Sequence, residues 1–310
     1  MMAINQDNTP LVSVIIAFKD EEKFLEEAIQ SVLDQSWNHW ELWLVDDGSS
    51  DRSAEIAHSF AEGYPNINYL EHQGHQNKGI SASRNLALAN CKGELICFLD
   101  GDDIYLPEKL SAQISNFITY STIDMLIDAT IYWYSWGPGD NRSDYTGHIG
   151  GPDKAIFEPG NLNRRFLDRT AVVPCMGGIM VRRSLLKKIK GFEEQFTGMY
   201  EDQVFYHKAA LRGTIMITRE IHDKYRQHEN SMCFQVSKNG HMNALYRQQF
   251  LEWLLAYINE SENEDLVLKS YIRLELTLNK YPRIQTIYRR LRKLQATLLN
   301  MVQGRSGSLI

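Results

Sequence analysis

Four stretches of this 310-residue chain carry side chains whose types and spacing could do chemistry. Asp100-Gly101-Asp102-Asp103 packs three carboxylates into four residues. Such a cluster repels itself unless water or a cation neutralises it. A hard divalent ion with oxygen ligands, Mn²⁺ or Mg²⁺, is its natural partner, commonly held by one or two carboxylates plus substrate phosphates. A calcium loop does not fit, because the glycine is misplaced and the twelfth position is Ser111 rather than Glu. Asp46-Asp47-Gly48-Ser49-Ser50 offers carboxylates that could accept hydrogen bonds from a nucleobase, or simply cap the helix that follows. Glu201-Asp202 suits either the favoured acidic start of a helix or a general base for an attacking hydroxyl. The string Tyr225-Arg226-Gln227-His228 could bring His228 to a metal or a diphosphate, or merely pack.

The surrounding pattern says where these residues must sit. Leu11–Phe18 is a short, nearly continuous apolar run, as expected of a strand buried on both faces. Glu21–Gln35 has helical spacing, Trp40–Val45 reads as a second strand, and Asp51–Phe60 as a helix. Ile67–Leu70, Ile80–Asn90 and Glu94–Leu99 continue the alternation as strand, helix and strand. That alternation predicts parallel pairing with helices on both faces. Ligands then bind beyond the carboxyl ends of the strands, where the second and fourth strands run into acids.

The middle, 104–198, is less regular. Tyr132–Gly139 and Gly147–Pro152 read as surface loops around a cleft. Gly177–Val181 and Thr214–Thr218 are predicted strands; Arg182–Lys190 and Tyr200–Leu211 are predicted helices. From about His241 onward the pattern is helical. Residues 266–310 hold nine Lys/Arg and one acid, Glu275, giving +8 and leaving −14 for the remainder of a chain whose net charge is −6. Within it, Ile284, Ile287, Tyr288, Leu291, Leu294, Leu298 and Val302 line one helical face. Such a basic amphipathic helix could pack on protein, join two subunits, or lie on anionic lipid.

Composition removes several classes. Net negative charge argues against a nucleic-acid binder. No apolar run reaches the roughly 18 residues of a membrane span, and the N-terminus has no signal-peptide pattern. Cys91, Cys97, Cys175 and Cys233 form no CxxC pair, which suits reduced thiols in a cytoplasmic protein, peripheral on the inner membrane face if the tail binds lipid. The dinucleotide-binding, P-loop and hydrolase-elbow motifs are all absent.

The order of the pieces is the most specific signal. VSVIIAF, SVLDQSW, ELWLVDDGSSD, NKGISASRN, FLDGDD, YEDQ and YRQH follow one another across residues 11–230. In this the chain resembles glycosyltransferase family 2, the inverting enzymes with a GT-A fold. The resemblance implies an α/β fold with a mostly parallel central sheet flanked by helices. Residues 1–240 would form the catalytic domain, with a nucleotide-sugar half at about 11–104 and an acceptor half at about 105–240. Residues 241–310 would be a helical extension. It further implies that Asp47, with Asp46 beside it, contacts the base of a nucleoside-diphosphate sugar, UDP by default. Ala17, Arg84, Asn85, Asp100 and Glu201 would line the donor site. Asp102, with Asp100 and His228, would hold Mn²⁺ or Mg²⁺, and Asp202 would be the catalytic base acting on a glycan or lipid-linked glycan acceptor. One loop departs from the family: Phe18-Lys19-Asp20-Glu21 stands where relatives carry a Tyr-Asn-like pair, so the base and sugar are left open.

Two other readings compete. A sugar nucleotidyltransferase would need a basic, Gly-rich loop after the first strand, where this chain has Lys19-Asp20-Glu21-Glu22. A non-catalytic nucleotide-sugar-binding module would bind without turnover and would have no need of all three acid sites together.

Overall fold

The seven residues of β1 (Val12–Phe18) are all buried, and they divide by parity between two cores. Ile15 and Ala17 face one cluster; Val12, Val14, Ile16 and Phe18 face the other. This period-2 division is the reason an uninterrupted apolar run can be a strand: both faces of the sheet are covered. The computed structural model describes residues 9–137, 142–147, 150–168, 170–171, 173–229, 231–238, 240–260, 265–281, 283–284, 287–288 and 290.

After β1 come α1 (Leu25–Leu33), β2 (Trp40–Asp46), α2 (Ser53–Gly63), β3 (Ile67–Glu71), α3 (Ile80–Asn90), β4 (Leu95–Asp100) and the two-residue β5 (Ile104–Tyr105). Next are α4 (Lys109–Thr119), β6 (Met125–Trp133), β7 (Tyr145–Thr146), β8 (Ala155–Phe157) and α5 (Asn163–Leu167). A 3-10 turn at Met176–Gly178 leads into β9 (Ile179–Arg182), α6 (Arg183–Ile189), α7 (Glu201–Arg212) and β10 (Ile215–Arg226). The chain continues through α8 (Met232–Lys238), α9 (Gly240–Glu260) and α10 (Leu266–Lys280).

The sheet runs β3-β2-β1-β4-β9-β6-β10-β5. β3, β2, β1 and β4 are mutually parallel, and β6 pairs parallel with β10. β9 is antiparallel to both its neighbours and joins the two parallel blocks. α1 and α4 cover one face through Leu25, Ile29, Leu110, Ile114 and Phe117. α3, α6 and α7 cover the other through Ala87, Leu185, Phe205 and Ala209.

Register sets the site. Phe18 lies opposite Asp46, and Ala17 lies between Val45 and Asp100, so β1, β2 and β4 end level with one another. The acids that follow β2 and β4 therefore emerge at one edge of the sheet.

The structure corrects the sequence reading in three places. α1 begins at Leu25, not Glu21. The stretch 104–198 contains α4 and the nine-residue β6, so Tyr132 and Trp133 belong to a central strand and not to a loop. β10 continues eight residues past Thr218 through Arg-Glu-Ile-His-Asp-Lys-Tyr-Arg. Charge hides that extension from a hydrophobicity reading, yet register with β6 holds at Lys224/Ile131, Tyr225/Tyr132 and Arg226/Trp133 after two irregularities.

The chain divides into two compact units, Met1–Gln235 and Val236–Ile310. In the second, α9 and α10 are tied by a buried ion pair of Arg247 with Glu275 at 2.7 Å and by Asn279 donating to the Ala244 carbonyl. No helix among the described residues is long and apolar enough to cross a membrane. Of the helical face expected at 284–302, Leu291, Leu294, Leu298 and Val302 lie outside the described residues; Ile284 and Ile287 are exposed and Tyr288 is half-buried.

Candidate active site

Asp46 and Asp47 leave β2 at the sheet edge, and both are buried. Asp46 Oδ1 accepts from the Ser49 N–H at 2.8 Å and the Ser49 hydroxyl at 2.7 Å. Asp47 Oδ1 accepts from the Lys78 N–H at 2.7 Å, and the Gly79 N–H reaches both Asp47 oxygens at 3.0 Å. The carboxylate thus fastens the start of α3, where backbone donors are otherwise unpaired. Gly48 makes the turn between them and the His75–Asn77 backbone: its φ is 76°, and a Cβ there would sit 2.9 Å from Asn77 N.

α3 then delivers Arg84. Its guanidinium is 4% exposed and donates from Nη2 to Asp100 Oδ1 at 2.6 Å. Helical geometry turns the next residue about 100° away. Asn85 accordingly does not join the acids: its amide donates to the Phe192 carbonyl at 3.0 Å and to Glu194 at 2.9 Å, and accepts from the Phe192 N–H. The structure ties the second half of the Arg-Asn pair to the chain after α6.

The turn after β4 is closely packed. A Cβ on Gly101 would lie 3.1 Å from Phe18 Cβ and 3.2 Å from Glu21 Cγ, so the Asp100–Asp102 turn and the loop after β1 are in contact. Asp102 Oδ2 meets His228 Nε2 at 2.9 Å, so the acid turn and the segment after β10 converge. Asp103 is buried and accepts from the Arg226 N–H at 2.8 Å.

α7 begins on the strained residue Tyr200, whose φ of 71° is unusual for a side chain of its size. Non-glycine residues held in this region carry strain of order 1–3 kcal/mol and cluster at functional sites. This entry angle places Glu201 and Asp202 in the first turn of α7, within electrostatic range of Arg84 and Asp100. Glu201 Oε2 is buried with no hydrogen-bond partner.

The electrostatics are lopsided. Burial, then the like charges of Asp102 and Asp100, pushes the Glu21 carboxyl up to about 8. Burial, then Glu201, pushes Asp202 up to about 7, against the pull of the Gln203 N–H and of Arg84. Asp100, Asp103 and Glu201 are all raised as well, burial being the first cause in each. Carboxyls from three distant stretches therefore converge, with Asp100 acting on Glu21, Glu201 and Asp202 alike. Arg84 does not neutralise so many acids.

The donor set fits a hard divalent ion: carboxylate oxygens suit Mn²⁺ or Mg²⁺. Asp102 and Asp100 would be its protein ligands, with His228 on Asp102. Among the described residues, the group of three ligand residues whose ligand atoms all lie within 4.8 Å of one another is a different one, Asp128, Glu220 and His222 on β6 and β10. There Gln113 donates to Asp128 and Lys154 already pairs with Glu220 at 3.1 Å, so a cation would have to displace an ammonium.

Sequence reasoning assigned no role to Glu21, Asp103 or Arg226. Glu21 lay within the loop flagged as departing from the family pattern, which was the available signal. The burial of Asp103 and Arg226 depends on the β10–β5 contact, which joins residues more than a hundred positions apart.

The profile of Glycosyl transferase family 2 matches residues 13–190. EpsE of Bacillus subtilis, whose name places it among the glycosyltransferases, is 32% identical over 59% of this chain and 60% of its own length. The minor teichoic acid biosynthesis protein GgaA of the same organism is 26% identical over 90% of this chain and 62% of its own. The chain thus spans about three-fifths of these two relatives. Among solved structures, S. aureus TarS 1–349 in complex with UDP-GlcNAc superposes with a TM-score of 0.63 at 22% identity, covering 87% of this chain and 72% of that one. The mannosyltransferase PcManGT from Pyrobaculum calidifontis, in complex with GDP-Man and Mn²⁺, gives 0.58 at 17% identity over 98% and 81%. At these identities the two superpositions establish a shared fold.

Proposed function

Because this chain belongs to glycosyltransferase family 2, we propose that it is a metal-dependent, inverting enzyme moving a sugar from a nucleoside-diphosphate sugar to a hydroxyl acceptor. The observation that carries this reading is Arg84 at the carboxyl edge of the parallel strands, paired with Asp100 at 2.6 Å and within electrostatic range of the raised acids Glu201 and Asp202. Such a site favours a cation bearing a phosphate ligand, and it keeps one acid near neutrality for proton transfer.

In this mechanism the base lies against the loop after β2. Asp47 Oδ2 shares the Gly79 N–H with Oδ1 and retains capacity to accept from a base N–H. Ala17, between β2 and β4, forms the floor. Arg84 holds Asp100 toward the donor. Asp102 and Asp100, with His228, would hold Mn²⁺ or Mg²⁺, which when bound supplies positive charge to the departing diphosphate. Asp202 takes the proton of the acceptor hydroxyl as its oxygen attacks the anomeric carbon from the face opposite the leaving group. A single displacement inverts that carbon, following the geometry of inverting glycoside hydrolysis.

UDP-sugars are the first donors to test, since TarS was solved with UDP-GlcNAc; GDP-sugars come second, from PcManGT. The test is a thermal-shift screen of nucleoside diphosphates and their sugars with and without Mn²⁺ or Mg²⁺. Ligand at a hundredfold its Kd stabilises by about 2.7 kcal/mol. A metal-dependent rise in Tm with one base is the expected result. No rise with any nucleotide and either ion defeats the proposal, and tight binding without sugar transfer to any hydroxyl would favour a binding module.

The acceptor we propose is a glycan or lipid-linked glycan, in keeping with the teichoic acid assembly in GgaA's name. Contact with anionic lipid through the C-terminal helices accords with this. Leu266, Val267, Leu274, Tyr281, Ile284 and Ile287 are exposed there, and the sole acid of 266–310, Glu275, is buried against Arg247. Flotation with anionic vesicles should recover the full chain and lose a truncation before Leu266; equal recovery of both rejects the contact.

A further inference from the structure

Arg226 is the last residue of β10, and its side chain is 3% exposed. Its backbone N–H, Nε, Nη2 and guanidinium faces are all engaged. Its backbone N–H donates to Asp103 Oδ1 at 2.8 Å, and Nε donates to the Asp102 carbonyl at 2.6 Å. Nη2 reaches Glu27 on α1 at 2.6 Å. The guanidinium carbon lies 4.7 Å from the Phe24 ring centroid, 4.5 Å from Trp133 and 5.2 Å from Trp136. The segment continues this hold: Trp136 Nε1 donates to the Gln227 carbonyl at 2.9 Å, and His228 rests against Phe24 while meeting Asp102.

We infer that Arg226 is a positioning residue for the acid turn: boxed by three aromatic rings, its guanidinium fixes the Asp102 carbonyl, and through it the stance of the Asp102 carboxylate. The inference rests on the reading that Asp102 faces a divalent ion. Three features distinguish this from core packing. The donor goes to the backbone of Asp102 and not to its carboxylate, so Arg226 takes up neither carboxylate oxygen. A planar guanidinium held by rings just before α1, on β6 and on the loop after β6 has one orientation, which a flexible ammonium would not reproduce. And the adjacent Asp103 is anchored by the same residue's N–H, so the loop is held at two successive positions. Partners of this outer kind, when removed, typically weaken metal affinity about 10- to 100-fold.

The experiment measures Mn²⁺ affinity on the full chain by the electron paramagnetic resonance of free Mn²⁺. UDP affinity without metal and thermal unfolding are followed on the same samples. Arg226→Lys should lower Mn²⁺ affinity about 10- to 100-fold while leaving metal-free UDP binding unchanged. Glu27→Gln removes only the outer arm of the clamp, at a half-exposed position where folding is not at risk; a loss of about two- to fivefold is expected. Mn²⁺ affinity unchanged in Arg226→Lys overturns the inference, as does a parallel fall in metal-free UDP binding, which would mark general damage. Should Arg226→Lys fail to fold, Glu27→Gln decides, and an unchanged affinity there overturns it. Asp102→Asn separates the two levels: if it alone loses Mn²⁺, only the clamp is wrong, whereas if it too retains Mn²⁺, the metal site of the proposed function falls and the clamp with it.

Discussion

Asp202→Asn is the sharpest perturbation, because the structure gives both its magnitude and its pH signature. Burial and the adjacent Glu201 place the Asp202 carboxyl at about 7. A base works only when ionised, so the rate must rise with pH through that value. For a group near 7, roughly a tenth is ionised at pH 6 and nine-tenths at pH 8, so kcat/KM should climb about tenfold between them. Because Asp202 and Glu201 interact, the inflection belongs to the pair. Asparagine keeps the shape and removes the proton acceptor, at a cost of about 10²- to 10⁴-fold in kcat. The variant should retain its donor KM and lose the pH rise. The assay is release of nucleoside diphosphate, followed from pH 5.5 to 8.5 with donor, acceptor and Mn²⁺ saturating and then with donor limiting. A variant within tenfold of wild type, or a wild-type profile flat across this range, refutes the assignment of Asp202 as base.

Asp223 makes a stability prediction. It is buried beneath β5, accepts from Thr130 and leaves Oδ2 unpartnered; burial is the first cause that lifts it to about 7, while Lys109 opposes. A carboxyl raised in the folded state holds its proton there after the unfolded chain has released it, so stability falls as pH rises from about 4 to 7. Asp223→Asn removes this dependence, and its Tm relative to wild type should improve from pH 5 to pH 8; a constant difference contradicts the assignment. Gly101→Val would drive methyl groups into Phe18 and Glu21, with a loss of about 1–3 kcal/mol in denaturant unfolding typical of overpacking and weaker Mn²⁺ binding. Full stability and affinity would show that the turn has room to spare.

Much of residues 11–104 was legible because the signals there are local. A strand such as Val12–Phe18 announces itself by composition, and acids directly after Trp40–Asp46 and Leu95–Asp100 follow from strand ends a few residues away. The second half was less legible. β10 carries Arg, Glu, His, Asp and Lys in a strand whose polar side chains find partners across the sheet, Asp128 for His222 and Thr130 for Asp223 Oδ1. No pattern within the strand reveals partners that far away. Asn85, which the family resemblance sets beside Arg84 at the donor site, has partners no local pattern reveals: its amide meets the Phe192 carbonyl 107 positions away.

By itself, then, the sequence determined the strand-helix alternation, the family, and the acids at the ends of β2, β4 and at the start of α7. Only tertiary structure decided that Asp100 acts on Glu21, Glu201 and Asp202 together, and that Arg226 grips the backbone of Asp102. The physical reason is range. Propensity and periodicity are written within a turn or a strand, whereas burial and charge coupling depend on residues up to two hundred positions apart that meet only when the sheet closes.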